Sequence, residues 1–156
     1  MNGNEVRCST LEIEEPAWSA RAADYALAAL DSLGKRNWQI SLVFCGDRAI
    51  QELNRDYRQI DAPTDVLSFT LGEYEPLAEG EAREPAYIAG DIVISVPAIE
   101  RNADDFQVAP DEELRRLIVH GILHLSGLDH ADNSPDQPML QEQEALLRRL
   151  GGTVLL

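Results

Sequence analysis

His120-Gly121-Ile122-Leu123-His124-Leu125-Ser126-Gly127-Leu128-Asp129-His130 contains all 3 histidines of the chain. His120 and His124 are one helical turn apart, so a helix stacks them on one face. Gly127 follows where a residue able to adopt the left-handed conformation ends a helix. The chain then turns, and His130 swings back toward the other two. Upstream, Leu114, Leu117, Ile118, Gly121 and Leu125 recur at helical spacing as a buried stripe, while Pro110 and the acids at 111 to 113 start the helix. Three neutral imidazoles converging from a helix and the turn after it make a zinc site with one position open, the arrangement of a catalytic rather than a structural metal.

The window overlaps the zincin and metzincin pattern His-Glu-x-x-His-x-x-Gly-x-x-His, with one informative departure. Gly121 stands where those peptidases carry the glutamate that acts as general base. The metal set is kept while the peptidase chemistry is not.

Outward from this helix the chain alternates short strands and helices. Glu5 to Ile13 reads as a first strand, and Glu14, Glu15 and Pro16 open a helix that runs to about Leu33 before Gly34. Trp38, Ile40, Leu42 and Phe44 alternate with Gln39, Ser41 and Val43, the period-two pattern of a half-buried strand. Asp47 caps the next helix, with Ile50, Leu53 and Tyr57 facing inward and Arg48, Arg55 and Arg58 left for other uses. Val66 to Leu71 is a third strand, preceded by the rigid polar turn Asp61-Ala62-Pro63-Thr64-Asp65. Gly72 to Ala86 reads as a long hairpin loop. Tyr87 to Val96 is the fourth strand, a short helix runs from Pro97 to about Gln107, and Met139, Gln143, Leu146, Leu147 and Leu150 mark a last amphipathic helix. The expectation is a single α+β domain over 1–156, one small, mainly four-stranded sheet packed with about five helices.

Composition narrows the class. The chain has 156 residues, 44% hydrophobic and 26% charged, which is ordinary for a globular protein. No apolar run approaches the ~20 residues of a membrane span, so no membrane partner and a cytoplasmic location are expected. Cys8 and Cys45 are too few and too isolated for a disulfide framework or a cysteine zinc site, and read as reduced thiols buried on strands. The net charge of -15 repels nucleic acid at long range. A site needs only local positive charge, however, and the 13 basic residues are all arginine except Lys35. Arginine forks onto phosphate where lysine acts as a point charge.

A second stretch, Asn54-Arg55-Asp56-Tyr57-Arg58-Gln59-Ile60-Asp61-Ala62-Pro63-Thr64-Asp65-Val66-Leu67-Ser68-Phe69, resembles a signature of the YbeY family, the bacterial rRNA maturation factors described as single-strand-specific endoribonucleases. Gly90-Asp91-Ile92-Val93-Ile94-Ser95 and Met139-Leu140-Gln141-Glu142 match as well, so the resemblance covers most of the chain. It implies that His120, His124 and His130 bind one zinc ion and that Arg58 is catalytically important. It also implies action in 16S rRNA 3′-end maturation and ribosome quality control, with ribosomal small-subunit proteins and the Era GTPase as partners, and RNA rather than DNA as substrate. Leu128 departs from the family's usual Tyr, and Thr70 from a common Pro.

The expected chemistry is metal-assisted cleavage of a phosphodiester in single-stranded RNA, with Arg58 stabilising the charge that builds on the phosphorane. Asp65 and Asp129 are candidates for the proton-accepting group, each alternatively a cap or a hydrogen-bonding support. Arg48, Arg55 and Arg58 are the expected source of local positive charge. Two rival readings are a zinc peptidase, disfavoured by Gly121, and a non-catalytic, zinc-stabilised ribosome-assembly factor.

Overall fold

A computed structural model describes residues 2–130 and 132–156. Four strands, β1 (Glu5–Leu11), β2 (Trp38–Cys45), β3 (Val66–Tyr74) and β4 (Tyr87–Ser95), form one mixed sheet in the order β1-β2-β4-β3. β1 and β2 are parallel, β2 and β4 are parallel, and β3 runs antiparallel to β4 at the edge. Five helices complete the described residues: α1 (Ser19–Ser32), α2 (Asp47–Arg58), α3 (Val96–Phe106), α4 (Pro110–Leu125) and α5 (Pro138–Leu150). The α+β expectation therefore holds.

The sheet has unequal faces. Ile40, Leu42, Phe44, Ile92 and Ile94 project into the main core, where α1 and α4 supply Ala22, Ala26, Leu30, Leu114, Ile118 and Ile122, and α5 adds Met139 and Leu146. A smaller cluster on the other face joins Val93, Leu67 and Cys45 to Ala49 and Ile50 of α2. Burying apolar side chains at ~25 cal/mol per Å² makes the first cluster the main source of stability. It is also the platform for α4.

Several boundaries differ from the sequence expectation for local reasons. β1 stops at Leu11 because Glu12 is left-handed (φ 59°), which turns Ile13 back onto the core instead of continuing the strand. α1 begins at Ser19, after a turn in which Ser19 N–H donates to the Pro16 carbonyl. Asp47 is the first residue of α2, not its cap. Gly46 holds the cap position, and the Asp47 carboxylate instead takes both Arg101 Nη1–H and Nη2–H and the Ser95 hydroxyl. β3 extends to Tyr74, so the hairpin loop is shorter than its composition implied. Tyr57 does not face inward: it is 66% exposed, because the buried face of α2 is Ala49, Ile50 and Asn54, and its ring packs edge-on against Phe69.

Candidate metal centre

α4 lies across the sheet at Gly121. A Cβ there would sit 2.6 Å from Ile92 Cγ2, so only glycine lets the helix backbone approach β4 this closely. The position that carries the general base in the peptidase pattern thus faces the sheet, and nothing larger fits. The zinc-peptidase reading loses its base for a packing reason.

With that stripe on the sheet, His120 and His124 emerge on the cleft side. α4 ends at Leu125, and Gly127 at φ 93° turns the chain so that Leu128 N–H bonds back to the Leu123 carbonyl. His130 then returns to the other two imidazoles. Ring centroids are 4.7 Å apart for His120 and His124, 5.2 Å for His120 and His130, and 5.6 Å for His124 and His130.

The decisive feature is what each Nδ1 touches. His120 Nδ1 is 2.7 Å from Gln143 Oε1, His124 Nδ1 is 3.1 Å from the Leu128 carbonyl, and His130 Nδ1 is 2.8 Å from the Asp132 carbonyl. All three partners are acceptors, so each Nδ1 carries the proton and each Nε2 keeps its lone pair. Two of these lone-pair nitrogens, on His120 and His124, face each other at 3.1 Å. Such a pair is repulsive unless a cation lies between, and two zinc–nitrogen bonds at a tetrahedral angle require a separation of about 3.3–3.4 Å. One ligand atom from each histidine lies within 4.8 Å of the others. Burial holds the pKa of both His120 and His124 below the usual imidazole value, and neighbouring imidazoles reinforce the shift. Neutral imidazoles are the form a metal needs.

These three histidines are the only group of three or more potential ligands among the described residues, so no fourth protein ligand closes the site. Cys8 and Cys45 lie on strands, are free, and have their thiols pushed up to about 11, chiefly by burial. Leu128 serves the site through its backbone carbonyl, a role that does not depend on the side chain it carries in place of Tyr.

Beside the imidazoles opens a cleft of roughly 430 Å³ whose wall includes Asp65, Glu113, Arg116, His120, His130 and Gln143. The polar turn thus reaches the site through Asp65. Its carboxylate accepts Val66 N–H at 2.7 Å and Asn102 Nδ2–H at 2.9 Å. Asp129, by contrast, has a side chain 86% exposed and caps the His130 N–H. Arg58 does not line the cleft. It ends α2, fully on the surface, and makes no hydrogen bond or ion pair with the described residues. The turn that follows is fastened by others: Asn54 Nδ2 donates to the Ala62 carbonyl and Gln51 Nε2 to Asp61 Oδ1. Arg48 is occupied by Glu52 and Arg55 by Asp56, so Arg58 alone of the three helix arginines is unpaired.

Three residues of the site escaped the sequence reading. Gln143 interrupts the apolar stripe of α5, and a polar residue in such a stripe is the signal that it has a buried partner. Glu113 is two turns before His120 and shares its helix face. Asn102 carries no local signal, because its role depends on α3 docking between α4 and the turn.

Fold and site together define a class: an α+β domain with three imidazoles that could hold a metal ion, presented by one helix and the loop after it. Within that class, the family model described as Endoribonuclease YbeY matches residues 4–151, and the chain belongs to this family. It is 53% identical over 138 residues to Endoribonuclease YbeY of Treponema denticola, covering 86% of each chain. It is 43% identical over 129 residues to the protein of that name from Halalkalibacterium halodurans, covering 81% of this chain and 80% of the relative. The solution structure of TM1509 from Thermotoga maritima superposes with a TM-score of 0.61 at 25% identity, over 93% of this chain and 88% of that one.

Proposed function

We propose that the chain is one zinc-dependent endoribonuclease domain, spanning 1–156, that cleaves single-stranded RNA. Family membership supports the nuclease assignment. The observation that supports the metal is the protonation pattern of the triad, with three Nδ1 atoms tied to acceptors and three Nε2 lone pairs left to converge.

His120, His124 and His130 would hold one zinc ion, which when bound supplies Lewis-acid stabilisation of a phosphoryl oxygen and makes water easier to deprotonate. Gln143 and the Leu128 and Asp132 carbonyls orient the rings, and such supports are worth 10–100-fold in metal affinity. Asp65 is the better placed of the two proton-accepting candidates, since it faces the cleft and Asp129 faces solvent. Arg58, unpaired at the end of the helix leading into the same turn, stabilises charge on the phosphorane once RNA spans the cleft mouth. The catalytic reading is favoured over a zinc-stabilised assembly factor by the absence of a fourth protein ligand among the described residues.

The cellular substrate that fits the family is rRNA, at the 3′ end of 16S rRNA, with ribosomal small-subunit proteins and the Era GTPase as partners and no role on DNA. A cytoplasmic site of action accords with this, and no helix of the described residues is long and apolar enough to cross a membrane. The test compares cleavage of labelled single-stranded and duplex RNA by zinc-loaded and chelator-treated protein. Cleavage confined to the single strand and to the loaded protein is expected. Equal cleavage with and without metal would refute the metal step.

A further inference from the structure

One aromatic ring of the chain is not used by its core. The sequence holds 2 tryptophans, 4 tyrosines and 3 phenylalanines. Trp18 pairs with Phe44, Trp38 and Tyr74 each pair with Tyr87, Tyr57 pairs with Phe69, and Tyr25 is buried. Among the described residues, Phe106 is the only one of these rings that is neither paired nor buried: it is 64% exposed and belongs to neither apolar cluster. A lone exposed apolar side chain is ordinary on a protein surface. Phe106, however, lies in the wall of the cleft that His120 and His130 also line.

The backbone fixes the ring in that position. Phe106 is the last residue of α3, and Gln107 after it is left-handed (φ 55°). Gln107 N–H donates to the Asp104 carbonyl and Val108 N–H to the Ala103 carbonyl, a helix stop that holds Phe106 at the cleft wall without packing of its own side chain. A zinc ion at the imidazoles would put positive charge there and engage a phosphoryl oxygen. Away from the imidazoles the wall gives phosphate no free cation. Arg116 is engaged by Glu112 and Glu144, and Asn102 Nδ2 donates to Asp65 Oδ2 and Glu113 Oε2, each at 2.9 Å. What the wall does offer is apolar surface, with Val66 and Leu140 lining the same cleft as Phe106. A nucleoside attached to a phosphate at the metal therefore meets an open, rigidly placed ring.

We propose that Phe106 is a stacking platform for a nucleobase of the RNA bound in the metal cleft, and that it helps the enzyme select single strands. The proposal rests on the endoribonuclease reading above. Every base has a π-face, so one stack of this kind tolerates any sequence. Inside a duplex both faces of a base are covered by its neighbours, whereas an unpaired base can be splayed out onto an aromatic side chain. The stack involves no charge. It therefore supplies affinity to a chain of net charge -15 without the salt dependence of phosphate contacts.

The experiment measures binding of a cleavage-resistant 2′-O-methyl single strand, and of the same strand with an abasic site at each position in turn, to wild type, Phe106→Ala, Phe106→Leu and Phe106→Tyr. Phe106→Ala should bind the intact strand about tenfold more weakly, within the range of one base–aromatic stack, and by the same factor at low and high salt. Phe106→Tyr should restore the affinity. Phe106→Leu, apolar but without a π-face, should not, and this pair carries the test if Phe106→Ala does not fold. One abasic position should weaken wild type about tenfold and leave Phe106→Ala no worse than with the intact strand, the coupling that identifies the stacked base. Phe106→Ala binding the intact strand like wild type, losing affinity in parallel with wild type at every abasic position, or matched by full rescue in Phe106→Leu overturns the stack. Those outcomes leave wild-type cleavage of single strands, and with it the endoribonuclease reading, intact. A wild type that neither binds nor cleaves single-stranded RNA overturns both.

Discussion

Gly121→Ala should destabilise the protein even though it replaces the poorest ordinary helix former with the best. Helix propensity alone favours the change by about 1 kcal/mol. Against it, the new Cβ would lie 2.6 Å from Ile92 Cγ2 and 3.0 Å from its Cγ1 and Cδ1. Ile92 is fully buried in the core, so it has no free volume into which to swing. Overpacking of this kind costs about 1–3 kcal/mol, and the closeness of the contact places the cost in the upper half of that range. The net expectation is a loss of about 1–2 kcal/mol, or roughly 2–8 °C in melting temperature for a domain of this size. Chemical denaturation of Gly121→Ala, Ile92→Ala and the double variant measures it directly. The double variant should recover about 2–3 kcal/mol relative to the sum of the singles, because removing the Ile92 branches vacates the space the methyl needs. A Gly121→Ala protein as stable as wild type, or additive single changes, would refute the close-approach argument. Gly121→Glu, by the same geometry, should fail to fold rather than acquire peptide hydrolysis.

Arg58→Ala should lower RNA cleavage by about 10²–10³-fold while leaving metal content and melting temperature unchanged, since Arg58 has no partner among the described residues; a melting point several degrees lower with activity per bound metal intact would make the residue structural. Gln143→Ala should weaken metal binding by about 10–100-fold, read by competition with a chromophoric chelator, because His120 loses the acceptor that fixes its tautomer. Arg101 holds the Asp47 carboxyl below the usual carboxylate range, with Ser95 assisting against the cost of burial. Its folded pKa is lowered, so the contribution is present above the unfolded value and is lost as pH falls through the folded one. Arg101→Ala should therefore reduce stability at neutral pH and flatten its decline on acidification, as followed by thermal melts across pH.

The parts of the site legible in the sequence were those whose geometry is local. Helical spacing placed His120 and His124 together, and Gly127 announced the turn that returns His130. The buried stripe of α4 was equally readable from its period. What spacing does not encode is which elements meet in space. The engagement of Asn102 with Asp65 and Glu113 needs three segments to dock, and Gln143 reaches His120 only because α5 packs beside α4. Helical phase turns Tyr57 inward, but the buried residues of α2 are Ala49, Ile50 and Asn54, and Tyr57 is left 66% exposed beside Phe69. The expected patch of three arginines is diluted, since Glu52 and Asp56 lie against Arg48 and Arg55 in exposed ion pairs. Those acids are in the sequence, but their choice of partner is a matter of rotamer and not of pattern.

Under the proposed function, three Nε2 lone pairs would hold a metal on which RNA cleavage depends. Metal analysis of the purified protein, paired with cleavage of a labelled single-stranded RNA by wild type and His124→Ala, tests it most directly. Wild type should carry about one zinc per chain, held by three imidazole nitrogens at roughly 2.0–2.1 Å, and the variant should lose both metal and cleavage. Equal cleavage by the two proteins, or metal bound through Cys8 or Cys45 instead, would contradict it.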